Sequence, residues 1–126
     1  MNVLVDTSVW VAHFKGRNEH LVMLLDAGAV MCHPCVVAEI ACGTPPSRHS
    51  VITMLGALRT VSVATHDEVL ALISRHKLHG RGCGFVDISL LTSALVTEQQ
   101  VRLWTLDKKL EAVAEKLGVA YRPALQ

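Results

Sequence analysis

Short, uninterrupted apolar runs recur along the chain, and the first of them, Val3-Leu4-Val5, is followed at once by Asp6, Thr7 and Ser8. A run without polar alternation fits a strand buried on both faces, as in a parallel sheet. Parallel strands need long crossovers, and helical patterns fill the intervals between the runs. Ala29 to Cys32, Val61 to Val63, Val101 to Trp104 and Val119 to Tyr121 are the other strand candidates. The pattern predicts an α/β chain with one central parallel sheet of four or five strands and helices on both faces. Ligands bind such sheets at the carboxyl ends of the strands, so Asp6 falls at the expected reaction edge. Taken alone, Asp6 is equally a helix N-cap and a site residue.

Start and stop signals delimit the helices. Ser8 is expected to cap the first, which runs to about Phe14 with Trp10 and Phe14 on one face. Asn18 caps a second that carries Leu21, Leu24 and Leu25 and ends at Gly28. His33-Pro34 opens a third, which stops at Gly43, and a fourth covers about Arg48 to Leu58. Thr65 and Glu68 match a capping box. The last two helices run from Phe85 or Val86 to about Thr97 and from Lys108 to Leu117.

Composition narrows the function classes. A chain of 126 residues suits one domain with one core. With 51% hydrophobic and 18% charged residues, disorder is excluded. The N-terminal apolar run is too short for a signal peptide, and no stretch is long enough to span a bilayer, so a cytoplasmic protein with no membrane role is expected. A net charge of +1 gives no bulk attraction for nucleic acid, so any basic surface must be local. Aromatic residues, at 4%, are too few for a binder built on stacked rings.

Of the eleven acids, most fit exposed helix positions or a first helical turn. Asp6, Glu39, Asp87 and Asp107 remain. Asp107 follows the fourth strand, with Thr105 between, and has an N-cap alternative of its own. Glu39 lies within Val36-Val37-Ala38-Glu39-Ile40-Ala41, where a charge is costly unless paired or met by a cation. Asp87 opens the most apolar helix of the chain, where the helix dipole is the simpler explanation. Jointly, all four fall at or just after the carboxyl end of a strand. Carboxylates gathered in one crevice repel each other unless a cation joins them. Oxygen ligands suit Mg²⁺ or Mn²⁺, and phosphodiester hydrolysis is the chemistry such a set best serves.

At these residues the sequence resembles a known family. Val3 to Trp10, His33 to Gly43, Gly80 to Asp87 and Leu103 to Leu110 look like the PIN-domain ribonucleases, specifically the VapC toxins of bacterial toxin–antitoxin pairs. The resemblance implies one PIN-like nuclease domain over residues 1–126, folded as a three-layer α/β/α sandwich. It implies a Mg²⁺- or Mn²⁺-dependent endoribonuclease that leaves a 5′-phosphate and a 3′-hydroxyl. A cognate VapB-type antitoxin would restrain it. Asp6, Glu39 and Asp87 would be the core acids around the metal, and Asp107 would complete the site. Thr7, Ser8 and Thr105 would hydrogen-bond or orient them. The chain departs from the pattern at Lys109, where many relatives carry a further acid.

Other features admit other functions. Cys32-His33-Pro34-Cys35 is a C-x-x-C at a strand-to-helix junction, which could serve thiol–disulfide chemistry, although buried small residues explain it more simply. A zinc site from Cys32, His33, Cys35 and Cys42 is disfavoured by the roughly two helical turns between Cys35 and Cys42. A PIN-like binding module without catalysis is a further alternative. The basic stretch Arg75 to Arg81 is either a solvated helix end or a phosphate-contacting surface. Arg81 is its foremost RNA candidate, with Lys108 and Lys109 beside Asp107 as lesser ones. The mean hydropathy of +0.38 fits an antitoxin groove or a homodimer face.

Overall fold

A computed structural model describes residues 1–123 of the chain. The elements are β1 (Asn2–Val5), α1 (Thr7–Lys15), α2 (Glu19–Asp26), β2 (Val30–Cys32), α3 (Pro34–Ala41), α4 (Arg48–Ala57), β3 (Arg59–Thr60), α5 (His66–His76), α6 (Phe85–Val96), β4 (Val101–Trp104) and α7 (Lys108–Lys116). The strands form one sheet in the order β3-β2-β1-β4, all pairs parallel. Right-handed crossovers carry β1–β2 and β2–β3 over one face and β3–β4 over the other. The direction of winding therefore reverses between β1 and β4, which is where the edge of such a sheet opens a crevice. The result is the three-layer α/β/α sandwich expected from the pattern.

The apolar runs became central strands because they are covered on both faces. Val3, Leu4 and Val5 are wholly buried. Val3 pairs with Val30 on one side and Arg102 on the other, and Val5 with Trp104. Helix α6 is buried over most of its length, from Ile88 to Ala94, so its first turn is held rigidly by the core behind it. No helix among the described residues is long and apolar enough to cross a membrane.

Three local expectations need correction. The third strand is Arg59–Thr60 rather than Val61 to Val63. It is an edge strand with both side chains exposed, so it needs no apolar run; Val61 follows it, donating its amide to Cys32 O (3.1 Å) and dropping into the core. Val119 to Tyr121 is extended and meets β4 through Leu103 N–Val119 O (2.7 Å) and Tyr121 N–Leu103 O (2.8 Å), but forms one isolated bridge rather than a fifth strand. Helix α1 is capped by Asp6, not Ser8, and starts at Thr7.

A histidine ties the two faces of the sandwich together. His33, 2% exposed, caps α3: its Nδ1 accepts the Cys35 amide (2.9 Å), so the ring proton sits on Nε2, which donates to Ser93 Oγ of α6 (3.1 Å). The same hydroxyl accepts the Ala64 amide (3.0 Å). Burial lowers the His33 pKa below its ordinary 6.5, and a protonated Nδ1 would lose the cap. The unfolded chain therefore takes up the proton first, and this contribution is full above pH 6.5 and is lost as pH falls below it. His33→Asn should lower stability by about 1–2 kcal/mol at neutral pH. In thermal melts the gap between wild type and variant should narrow as the solution is acidified; a gap independent of pH would show that His33 titrates alike in both states.

Candidate functional site

At the carboxyl end of β1 the chain turns through Asp6 into α1, and the Asp6 carboxylate, only 6% exposed, is held by the neighbouring strand end. Its Oδ2 accepts hydrogen bonds from Ser8 N (3.3 Å), Ser8 Oγ (2.6 Å) and Thr105 Oγ1 (2.8 Å). Each hydroxyl spends its single proton on Asp6 and accepts a backbone amide in return: Ser8 Oγ from Leu106 N (3.0 Å), Thr105 Oγ1 from Asp107 N (3.0 Å). Among the described residues no hydrogen bond falls on Asp6 Oδ1. The cap and the site roles, alternatives in the sequence, are thus combined in one side chain.

The other acids arrive from three further segments. Asp107 caps α7, its Oδ1 accepting the amides of Lys109 (2.9 Å) and Leu110 (3.1 Å). Asp87 lies in the first turn of α6, its Oδ2 accepting the Gly84 amide (3.2 Å), which is half of a capping box since glycine has no side chain to complete it. Glu39 Oε1 accepts the Thr7 hydroxyl at 2.6 Å. Glu39 is exposed, so the burial cost inferred from its apolar neighbours does not arise: it lies with Ala38 on the open side of α3 and reaches Thr7 of α1. Thr7 therefore orients Glu39, while Ser8 and Thr105 orient Asp6.

Three of the acids bear electrostatically on the fourth. The Asp87 carboxyl is raised above the ordinary range by burial; the Gly84 amide partly offsets this, and the charges of Asp6, Asp107 and Glu39 raise it further. The side chains do not stand as a closed cage, since no three potential ligands among the described residues are placed to share one ion. Glu39 is turned onto Thr7 and Asp87 onto Gly84. An oxygen-only set of mutually repelling carboxylates nevertheless fits a hard divalent cation. Mg²⁺ keeps several waters and takes as few as one or two carboxylates directly, so it needs no closed cage.

The remaining candidates separate clearly. Arg81 is exposed in a turn between Gly80 and Gly82, ahead of Asp87, and Lys108 approaches Glu111 at 4.0 Å. Cys32 and Cys35 are free thiols, and burial raises both, with Glu39 adding to the effect at Cys35. A redox thiol requires the opposite shift, so thiol chemistry is not supported. Both ring nitrogens of His33 are hydrogen-bonded within the fold, which removes it as a zinc ligand. Cys83 was not singled out from the sequence; burial, Asp87 and Asp107 raise it while Lys109 lowers it, which places it at the site's margin. A lone cysteine between glycines carries no pattern that would have revealed this.

Two measurements probe the geometry. Thr105→Val removes a hydrogen bond to a buried carboxylate and should cost about 2 kcal/mol in denaturant unfolding, with Thr105→Ser close to wild type; equal stability of all three would show that the Asp6 contact carries no weight. Because Asp87 binds its proton more tightly folded than unfolded, its penalty is absent at low pH and grows as pH rises through the window above 3.8. Asp87→Asn should therefore raise the melting temperature of the metal-free protein at neutral pH, and an unchanged or lower value would contradict the repulsion.

Comparison with known proteins identifies the family. A model of the PIN domain matches residues 3–116, from β1 to the last residue of α7. The chain is 45% identical over 118 residues to Ribonuclease VapC32 of Mycobacterium tuberculosis, in both strain CDC 1551 / Oshkosh and strain ATCC 25618 / H37Rv, covering 94% of this chain and 94% of each relative. The chain belongs to the PIN domain family and, within it, to the VapC group.

Proposed function

We propose that this protein is a metal-dependent endoribonuclease toxin that hydrolyses phosphodiester bonds of a structured RNA, such as tRNA or rRNA, and is neutralised by a cognate VapB-type antitoxin. The observation that carries the reading is that the charges of Asp6, Asp107 and Glu39, from three other segments, all bear on the Asp87 carboxyl, beside the edge where the sheet reverses its winding. Similarity to a protein named a ribonuclease supports it.

Asp6, Glu39 and Asp87 would hold Mg²⁺ or Mn²⁺, with Asp107 completing the set. Bound there, such an ion supplies Lewis acidity toward the scissile phosphate and a nearby water. The chain's own part is placement. Ser8 and Thr105 fix Oδ2 of Asp6 and leave Oδ1 without a hydrogen bond among the described residues. Thr7 steadies Glu39, and the Gly84 amide steadies Asp87. Burial and the neighbouring charges raise the proton affinity of Asp87 in the free site.

An apolar groove lined by Val11, Phe14, Ile40, Pro45 and Pro46 has Glu39 in its wall. A partner segment lying there would reach the acids, which supports neutralisation by an antitoxin in the cytoplasm. Exposed Leu70 and Phe85 support a homodimer.

Purified protein should cleave RNA with Mg²⁺ or Mn²⁺, leaving mapped 5′-phosphate ends, and should stop in EDTA. Asp6→Asn should lower the rate at least about a hundredfold. Cleavage that survives both chelation and this substitution contradicts the mechanism, and Mn²⁺ binding without cleavage would favour a non-catalytic binding module.

A further inference from the structure

A phosphodiester approaching four carboxylates meets repulsion, and a net charge of +1 offers RNA no general attraction. Positive charge must therefore be held at the site itself. The turn from Gly80 to Gly84 leads into α6 and has two left-handed glycines, Gly80 at φ 70° and Gly82 at φ 80°. The Lys109 side chain lies across the second of them. A Cβ built at Gly82 would stand 2.5 Å from Lys109 Cδ, 3.1 Å from Nζ and 3.2 Å from Cε. A side chain at Gly82 would push that flexible stem aside, and glycine is the residue that readily takes that backbone conformation.

Lys109 is tied to the site at both ends. Its amide donates to Asp107 Oδ1 (2.9 Å), and its side chain crosses the turn that positions Asp87. Its charge reaches Cys83, where it opposes the influence of Asp87 and Asp107. Among the described residues it has no ion-pair partner within 4.0 Å, whereas Lys108 approaches Glu111 and Arg122 is paired with Glu111 and Glu115. It is thus an unpaired ammonium whose stem lies across the backbone of the turn before α6. Arg81, in the same turn, is exposed and has no hydrogen bond or ion pair among the described residues to hold its guanidinium in place.

We propose that Lys109, seated on Gly82, is the cation that receives an RNA phosphate at the rim of the acid site. The assignment rests on the ribonuclease reading. It gives the chain a positive contact at a position where a carboxylate would add to the repulsion. The contact is with phosphate rather than a base, because an ammonium acts as a point charge without directional recognition of a base edge.

The test is binding without cleavage. Fluorescence anisotropy of a fluorescein-labelled, mixed-sequence single-stranded RNA is followed against metal-free protein in EDTA across a salt series. Lys109→Gln, which keeps most of the stem and removes the charge, should weaken binding about fivefold at low salt and make the log–log salt slope shallower by about 0.7, one phosphate contact. Lys109→Arg should recover most of the affinity, and Lys116→Gln, at the far end of α7, should match wild type. Gly82→Ala should weaken binding by a similar factor and add little to Lys109→Gln. If wild type binds RNA and Lys109→Gln binds equally, with the same slope, the assignment is overturned while the ribonuclease reading stands. A shift confined to melting temperature overturns it likewise. If wild type binds no RNA at any salt, with or without Mg²⁺, the ribonuclease reading fails and the assignment falls with it.

Discussion

The hydrogen bonds from Ser8 and Thr105 to one oxygen of Asp6 join the ends of β1 and β4 across the point where the sheet reverses its winding. A carboxylate this buried must be satisfied, and hydrogen bonds to a charged acceptor contribute about 1.5–3 kcal/mol each. The two hydroxyls also receive the amides of Leu106 and Asp107, so the link sets the path of the chain leaving β4. Asp107 caps α7 from that path. One buried acid thereby places a second.

Helix capping serves as the device that aims the site. Asp6 and Asp107 cap helices that begin at strand ends, and Asp87 accepts an amide in the first turn of α6. Helix N-termini tolerate carboxylates because backbone amides and the dipole offset their charge. The same geometry turns the carboxylates toward the carboxyl edge of the sheet. Asp87 records what remains unbalanced, since burial and three neighbouring acids outweigh its amide contact. In that setting a divalent cation or a proton relieves the same repulsion.

The central strands and most helix limits were legible because β1, β2 and β4 are buried runs and because Asn18, Pro34 and Thr65 are local signals. The edge strand β3 was misplaced because its exposed pair Arg59–Thr60 leaves no apolar trace. Of the four acids singled out, Glu39 drew attention for a reason the fold removes: it is exposed, and its partner Thr7 lies 32 positions away in sequence. The split of tasks between Thr7 and the pair Ser8 and Thr105 is a matter of three-dimensional placement that spacing does not encode. His33 was visible as the start of a helix and as part of a C-x-x-C, but not as a link between layers, because nothing local announces a partner on α6. The seat of Lys109 on Gly82 joins two turns far apart in sequence and could be seen only in the fold.

The central claim is that the four acids form one site for a divalent cation. Equilibrium Mn²⁺ titration, read from the electron paramagnetic resonance of the free ion, tests it most directly. Asp6→Asn, Glu39→Gln and Asp87→Asn should each weaken binding by at least about tenfold, and Asp107→Asn by a smaller factor, while Glu68→Gln, in the first turn of α5, should bind as wild type does. Wild-type protein that takes up no Mn²⁺, or affinities indifferent to all four substitutions, would contradict the account.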